Sequence, residues 1–418
     1  MKSKLLTFII VAVVFSVSNT AYSQNNTQKS EKISKLISKK RSFNKKYGFG
    51  YRIIDGNFIL QNVPIGRQSI AVTYVGYEPV YISEILVGSV KEVILNIEMT
   101  ENVASLNTVV VTVDKDEPLN EMTTVSAKSF SVEETQRFAA SIGDPARMAQ
   151  VFSGVSTGDD ASNEIIIRGN SPNWLLWRLE GVEIPSPNHF AEEGGSAGAV
   201  SILNSRMLST SDFLTGAFPS EFGGALSGVF DIKLRNGNKQ NAEYSASIGV
   251  LGVDRTAEGP FKKGYGGSYL VNYRYSSLSL LNKANISVSE NALPNYQDLS
   301  FKINLPTKKV GTFAFWGIGG LSDTDEEYLP DTTAGEKFEY GYTDYTTTGM
   351  YALGITHTIF TGNKSYVKTV VSSTASQSSE SFAQMDSLGV LNDDFYDDLY
   401  SGALRINSFY NKKFSSKL

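Results

Sequence analysis

From Ala242 to the end of the chain, apolar and polar side chains alternate with a period of two, and this pattern limits the possible folds more than any other feature. Tyr244, Ala246 and Ile248 alternate with Ser245, Ser247 and Gly249. Tyr269, Val271, Tyr273 and Tyr275 alternate with Asn272 and Arg274, and Leu299, Phe301, Ile303 and Leu305 with Ser300, Lys302 and Asn304. Successive side chains of a strand point to opposite faces, so each segment reads as a strand with one apolar, aromatic face and one polar face. A water-soluble sandwich and a membrane barrel can both show this alternation. Connection lengths discriminate better: short turns at Lys262 to Gly264, Pro306 to Lys309 and Gly362 to Lys364 alternate with long polar segments at about 277–295, 321–341 and 377–397. That is the asymmetry of a barrel's two rims. For a chain entering from the short-turn side, parity then requires a tight turn at Gly249 to Gly252 that divides 242–260 into two strands. About eight antiparallel strands follow, the last near Gly402 to Phe414.

The N-terminus indicates export. Lys2 and Lys4 precede an apolar run from Leu5 to Val17, and Ala21-Tyr22-Ser23 puts small residues before Gln24, the pattern of a signal peptide over residues 1–23. No later stretch approaches the ~20 apolar residues of a membrane-spanning helix, so residence in a membrane would require a barrel. The chain has no cysteine, which excludes a disulfide framework, a thiolate nucleophile and a cysteine zinc site. Its two histidines, His189 in a Pro-rich loop and His357 in an alternating strand, read as structural or solvated rather than catalytic. A net charge of -5 offers no broad basic face, so no nucleic-acid partner is expected.

Residues 24–46 carry Lys29, Lys32, Lys35, Lys39, Lys40, Arg41, Lys45 and Lys46 and read as a solvated, lysine-rich segment. Short β-type runs follow at Asn57 to Gln61, Gln68 to Val75 and Val93 to Glu98, with turns at Asn62 to Gly66 and Gly76 to Pro79. Asp55-Gly56-Asn57-Phe58, Val63-Pro64-Ile65-Gly66 and Tyr74-Val75-Gly76-Tyr77 resemble the carboxypeptidase-regulatory-like β-sandwich. Where that family has further opening strands, this sequence has the lysine-rich segment. The expectation is an incomplete sandwich over 47–104, behind a front segment that is degenerate or misread.

Thr108, Val109, Val110, Val111, Thr112 and Val113 form a β-branched run before the charged stretch Asp114 to Pro118. One reading makes it the last sandwich strand. The other follows from its resemblance to a TonB box, in a linker over 105–118 whose unpaired backbone could add to a partner's sheet edge. Ser131 and Glu134 form a capping box ahead of Thr135 to Ala140, and Asp144-Pro145 starts a second helix with Met148, Val151 and Phe152 on one face. A buried strand at Glu164 to Gly169 and a hairpin-like Leu179 to Ile184 complete a mixed α/β pattern.

Three motifs in this region, Ile167-Arg168-Gly169-Asn170, Leu179-Glu180-Gly181-Val182 and Gly216 to Gly228, resemble the plug of TonB-dependent outer-membrane receptors in order and spacing. The resemblance implies a mainly β protein: an incomplete small sandwich, a mixed α/β plug over 119–240, and a partial antiparallel transmembrane barrel over 241–418. It singles out Arg168, Gly169, Glu180, Gly181, Gly223, Gly224, Ser227 and Gly228 as plug-motif residues. Glycines suit a chain threaded through a lumen, where backbone approaches wall. Arg168 could pair with a wall carboxylate or within the plug itself. Gly317, Gly319 and Gly320 precede no helix and read as a strand end rather than a phosphate loop. Plugged transporters use about 22 strands, so the pattern covers about a third of a barrel and reads as a truncated receptor. The acidic residues Asp323, Asp325, Glu326, Glu327, Asp331, Glu336 and Glu339, and Asp393, Asp394, Asp397 and Asp398, lack calcium-loop spacing and read as solvated loops, so no metal or cofactor is expected.

The function implied is energy-coupled import of an unidentified scarce ligand across the outer membrane. Its expected partners are a periplasmic TonB-type energy-transducing protein and outer-membrane lipid. The alternative is a non-transporting surface binding protein or adhesin. No nucleophile, base and orienter come together in the sequence, so no enzyme is expected.

Overall fold

A computed structural model describes parts of 50–97, residues 127–130 and most of 141–412, leaving out 142, 159–161, 193, 197, 250–251, 277–293, 329–340, 363–364 and 387–389. The signal-peptide, lysine-rich and TonB-box readings, and the capping box at Ser131 and Glu134, lie outside the described residues. The chain divides into two units, Met1–Pro64 and Ile65–Leu418.

In the first unit, β1 (Gly50–Arg52) pairs antiparallel with β2 (Phe58–Leu60). The second unit begins with β3 (Gly66–Val72) and β4 (Val80–Val87), an antiparallel pair with a bulge between Gln68 and Ile70. The expected strand at Val93 to Glu98 is not one at its described residues Val93, Leu95 and Ile97. The described part of 47–104 is thus two separate two-stranded ladders.

A mixed α/β globule follows. Its strands are β5 (Ala127–Phe130), β6 (Val155–Ser156), β7 (Ile166–Ile167), β8 (Leu175–Leu179), β9 (Val182–Glu183), β10 (Asn188–His189), β11 (Val200–Ser201), β12 (Ser211–Leu214) and β13 (Gly228–Ile232). Five of them form a sheet in the order β5-β12-β13-β8-β9, with β13 and β8 parallel and the other pairs antiparallel. Glu180 and Gly181, at φ +54° and +88°, make the two-residue link from β8 to β9, the left-handed backbone that closes a tight hairpin. The helix that starts at Asp144-Pro145 runs only to Met148 before tightening into a 3-10 turn. That turn corrects the expected shared face: Met148 is buried but Val151 is exposed. The buried strand expected over Glu164 to Gly169 is confined to Ile166–Ile167.

The remaining elements are eight sequential antiparallel strands of one sheet: β14 (Glu243–Gly249), β15 (Gly252–Pro260), β16 (Ser268–Tyr275), β17 (Asn295–Pro306), β18 (Thr312–Tyr328), β19 (Tyr342–Gly362), β20 (Ser365–Met385) and β21 (Leu391–Lys412). Gly249 pairs with Gly252, which gives the tight turn that parity requires. Two expectations are corrected here. The described residues of 321–341 and 377–397 are mostly ladder rather than loop, because β18 to β21 reach 17 to 22 residues. Gly317, Gly319 and Gly320 lie inside β18, not at its end.

The faces of this sheet are inverted relative to a protein in water. Its inner face buries Asp254, Glu258, Asn272, Arg274, Asp298 and Lys302, while Ile248, Leu353, Ile355, Leu404 and Ile406 stand exposed on the outer face. The strand order carries this across the sheet, as Thr256, Asn272 and Ser300 share one inner row. Some inner residues are apolar. Leu270, Trp316, Ile318, Met350, Ala352 and Val370 join the globule's core of Trp177, Ile202, Leu203, Phe213 and Phe230. Globule and sheet therefore share a continuous apolar core.

Candidate functional site

The site is the polar seam where the globule meets the inner face of the large sheet. At its foot, the hairpin turn after β8 points Glu180 inward. The Glu180 carboxylate accepts from the Leu234 backbone N–H and from Lys302 Nζ, both at 2.8 Å. Lys302 Nζ donates in addition to the Leu234 carbonyl at 2.7 Å, so an ammonium and a carboxylate, each 8% exposed, satisfy each other. Arg235 makes a two-pronged pair with Glu258, at 2.6 and 2.8 Å, and Glu258 also accepts from the Asn238 N–H at 3.0 Å. Such a fork fixes orientation as well as charge.

Arg206 follows the cap residue Asn204, whose side chain accepts from the Arg206 N–H at 2.9 Å. The Asn204 amide donates to Asn272 at 3.0 Å, while Arg206 donates to Ser245 at 3.0 Å and lies 3.6 Å from Asp254. Further along, His189 Nε2 meets Asp298 Oδ2 at 3.1 Å, and Arg274 holds the same oxygen at 2.7 Å. Arg274 reaches back to the Ser201 carbonyl of the globule. Nδ1 of His189 is buried without a partner, which a bare lone pair tolerates better than an N–H, so the proton belongs on Nε2, facing Asp298. Burial pushes the His189 imidazole below its ordinary value, against the opposing pull of Asp298. Phe190, at φ +62°, donates its N–H to Ser322 and Thr348, each at 3.1 Å.

Two glycines let globule and sheet approach closely. A Cβ on Gly237 would lie 1.9 Å from the Tyr269 carbonyl oxygen, and one on Gly320 would lie 2.6 Å from His189 Cε1. Neither is a plug-motif glycine.

Of the motif residues, Glu180 and Gly181 alone meet the large sheet among the described residues, the Gly181 carbonyl accepting from Asn407 at 3.5 Å. Arg168 and Gly169 form a left-handed turn after β7, and Arg168 is exposed, with its guanidinium beside Gly216. No ion pair joins Arg168 to a carboxylate among the described residues; Arg206 and Arg235 take that place at the sheet. Gly223 and Gly224 stand in open space in an exposed loop, Gly224 at φ +83°. Ser227 is buried, its N–H donating to the Trp174 carbonyl at 3.2 Å. Gly228 is packed so closely that a Cβ would meet Ile167 Cδ1 at 2.2 Å. The first and third motifs thus brace each other within the globule.

In the same globule, Asp231 stands directly across the ladder from Asp212, and both are buried. Burial raises the Asp231 carboxyl above the usual range, with Arg178 and Lys233 opposing. His189 is buried rather than solvated, whereas His357 stacks on Phe313 with centroids 4.4 Å apart. No group of three or more potential metal ligands comes together among the described residues. Thr108 to Val113 lie outside them.

No protein-family model matches the chain, and no curated protein matches it. Solved structures with a similar fold include the siderophore receptor PirA from Acinetobacter baumannii, at 17% identity over 68% of this chain and 45% of that one, with a TM-score of 0.41. The copper transporter OprC is 9% identical over 68% of this chain and 52% of that one, with a TM-score of 0.42. The outer membrane transporter YddB from Escherichia coli is 10% identical over 69% and 55%, with a TM-score of 0.30. The chain spans about half the length of these structures.

Proposed function

We propose that this chain supplies the plug and part of the barrel wall of a TonB-dependent outer-membrane receptor, which takes part in energy-coupled import of a scarce ligand. The observation that carries this reading is the inverted sheet. An outer face of leucine, isoleucine and tyrosine around an inner face of buried aspartate, glutamate, lysine and arginine is stable only with hydrocarbon outside and a polar body within. Residues 119–240 form that body, 241–418 the wall, and 105–118 a linker that carries the TonB box.

In this reading the seam is built to hold and to release. Buried ion pairs contribute little net stability, because desolvation offsets their attraction, yet they specify one seating of the plug. Force from a periplasmic TonB-type partner, applied at Thr108 to Val113, would unseat the plug by breaking those pairs in sequence rather than by stripping a wholly apolar interface.

The absence of cysteine allows a direct test. Single cysteines at Ile355 and Leu404 are expected to react with a lipid-soluble maleimide in intact outer membranes and to resist a charged one, while a cysteine at Ser300, buried at the seam, should resist both. Equal reaction of the outward cysteines with the charged reagent would overturn the assignment. Deleting residues 106–113 is expected to abolish energy-dependent uptake. Unchanged uptake sinks the coupling site, and ligand binding without any uptake in the undeleted protein favours a surface binder.

A further inference from the structure

Between residues 183–196 of the globule and the inner face of β18 to β21 lies a cavity of about 290 Å³. That is at the small end of the ~300–1,000 Å³ typical of small-molecule sites. Its floor is apolar, with Leu175, Trp177, Ile184, Ile202 and Met350, and its rim is hydroxyl-rich, with Ser322, Thr348, Thr374, Ser376 and Ser401. Strand alternation places those hydroxyls together, because they project from the polar face of neighbouring strands.

Two ring nitrogens of residues lining the cavity are buried without a partner: Trp177 Nε1, an obligate donor, and His189 Nδ1, the acceptor in the tautomer derived above. A hydroxyl is a group that can serve both. The charges at the cavity largely cancel: Glu183 lies 4.0 Å from Arg405, which also donates to Thr374 at 2.8 Å, and Glu192 stays on the exposed rim. An anion would find no unpaired cation in this lining, and a cation would find only the solvated Glu192. We propose that this cavity is a binding site for a neutral, polyhydroxylated solute of sugar size, whose apolar ring face lies on the floor and whose hydroxyls meet the rim. The inference deepens the receptor reading and rests on it for how the solute arrives.

Calorimetric titration of the purified full chain in detergent tests it, with maltose and cellobiose as probes and lactobionate and glucosamine as charged controls. Saturable binding is expected for the neutral sugars alone. Ala403→Trp, which fills the cavity from β21, and Ser376→Ala, which removes one rim hydroxyl, should each weaken it at least about tenfold without changing thermal unfolding. Absence of saturable binding by either neutral sugar, an equal response to either charged control, or undiminished binding by both variants would overturn the inference. The cysteine labelling reads the receptor assignment separately, so missing sugar binding with intact labelling overturns this site alone.

Discussion

Lys302 shows how much one side chain depends on its partner. Its ammonium is buried between Glu180 and the Leu234 carbonyl, so replacing it with methionine strands a carboxylate away from water. Lys302→Met is expected to cost about 3–5 kcal/mol, and adding Glu180→Gln should recover part of that, as measured by denaturant unfolding in detergent. His189 makes a second prediction, with a sign. Burial lowers its proton affinity in the folded protein, so the unfolded chain binds more protons below the ordinary value of 6.5. Stability contributed by the neutral ring is therefore present above pH 6.5 and lost as pH falls through the depressed native value. His189→Gln, which can still donate to Asp298, should flatten that part of the pH profile of thermal unfolding. At this scale the sequence was half legible. Glu180-Gly181 reads as a turn, and Lys302 sits in phase with the polar face of its strand, but nothing local says that the two meet, 122 residues apart. Arg206, Arg235 and Glu258 escaped the sequence reading for the same reason, whereas Arg168 drew attention through its motif and is exposed.

Among the elements, the strands of the large sheet were the most readable, and their outer extensions the least. In the receptor reading, alternation within hydrocarbon is imposed by lipid on one side and a polar interior on the other. Beyond that band the pattern relaxes, so the Ser-, Thr- and Asp-rich ends of β18 to β21 look like loops although their ladders continue. The short helix was overextended from its cap: Asp144 starts it as expected, but the same carboxylate also accepts from Asn163 and the Ser201 N–H, anchoring a turn rather than a long helix. Glycine positions allow an element-level prediction. At Gly237 an added Cβ meets backbone, whereas at Gly320 it meets the side-chain atoms His189 Cε1 and Ile202 Cδ1, which can shift. Gly320→Ala is expected to cost about 1–3 kcal/mol and Gly237→Ala more, by the same unfolding measurement. A reversed order would mean that the seam at Gly237 is looser than its 1.9 Å approach implies.

For the whole molecule, the controlling fact is the inversion of the large sheet, with charged residues buried inside and large apolar residues exposed outside. Such a surface has no favourable partner in water, so the purified chain should sediment as a single species in detergent and aggregate when detergent is removed. A stable monomer without detergent would contradict a membrane wall. The amino-acid sequence by itself determined the strands, their number and the two unlike faces, because strand periodicity writes burial directly into local order. It also marked the hairpin at Glu180-Gly181, but it put Arg168-Gly169 inside a strand where the structure has a left-handed turn. It left open which environment each face meets, since alternation is the same for a face turned to lipid and a face turned to a core. Only the tertiary structure decided which face meets protein, by placing an α/β globule against the polar face and matching it charge for charge at Glu180, Arg206 and Arg235 and by a hydrogen bond at His189. Pairing across a seam depends on distance in space, and residues far apart along the chain carry no local record of it.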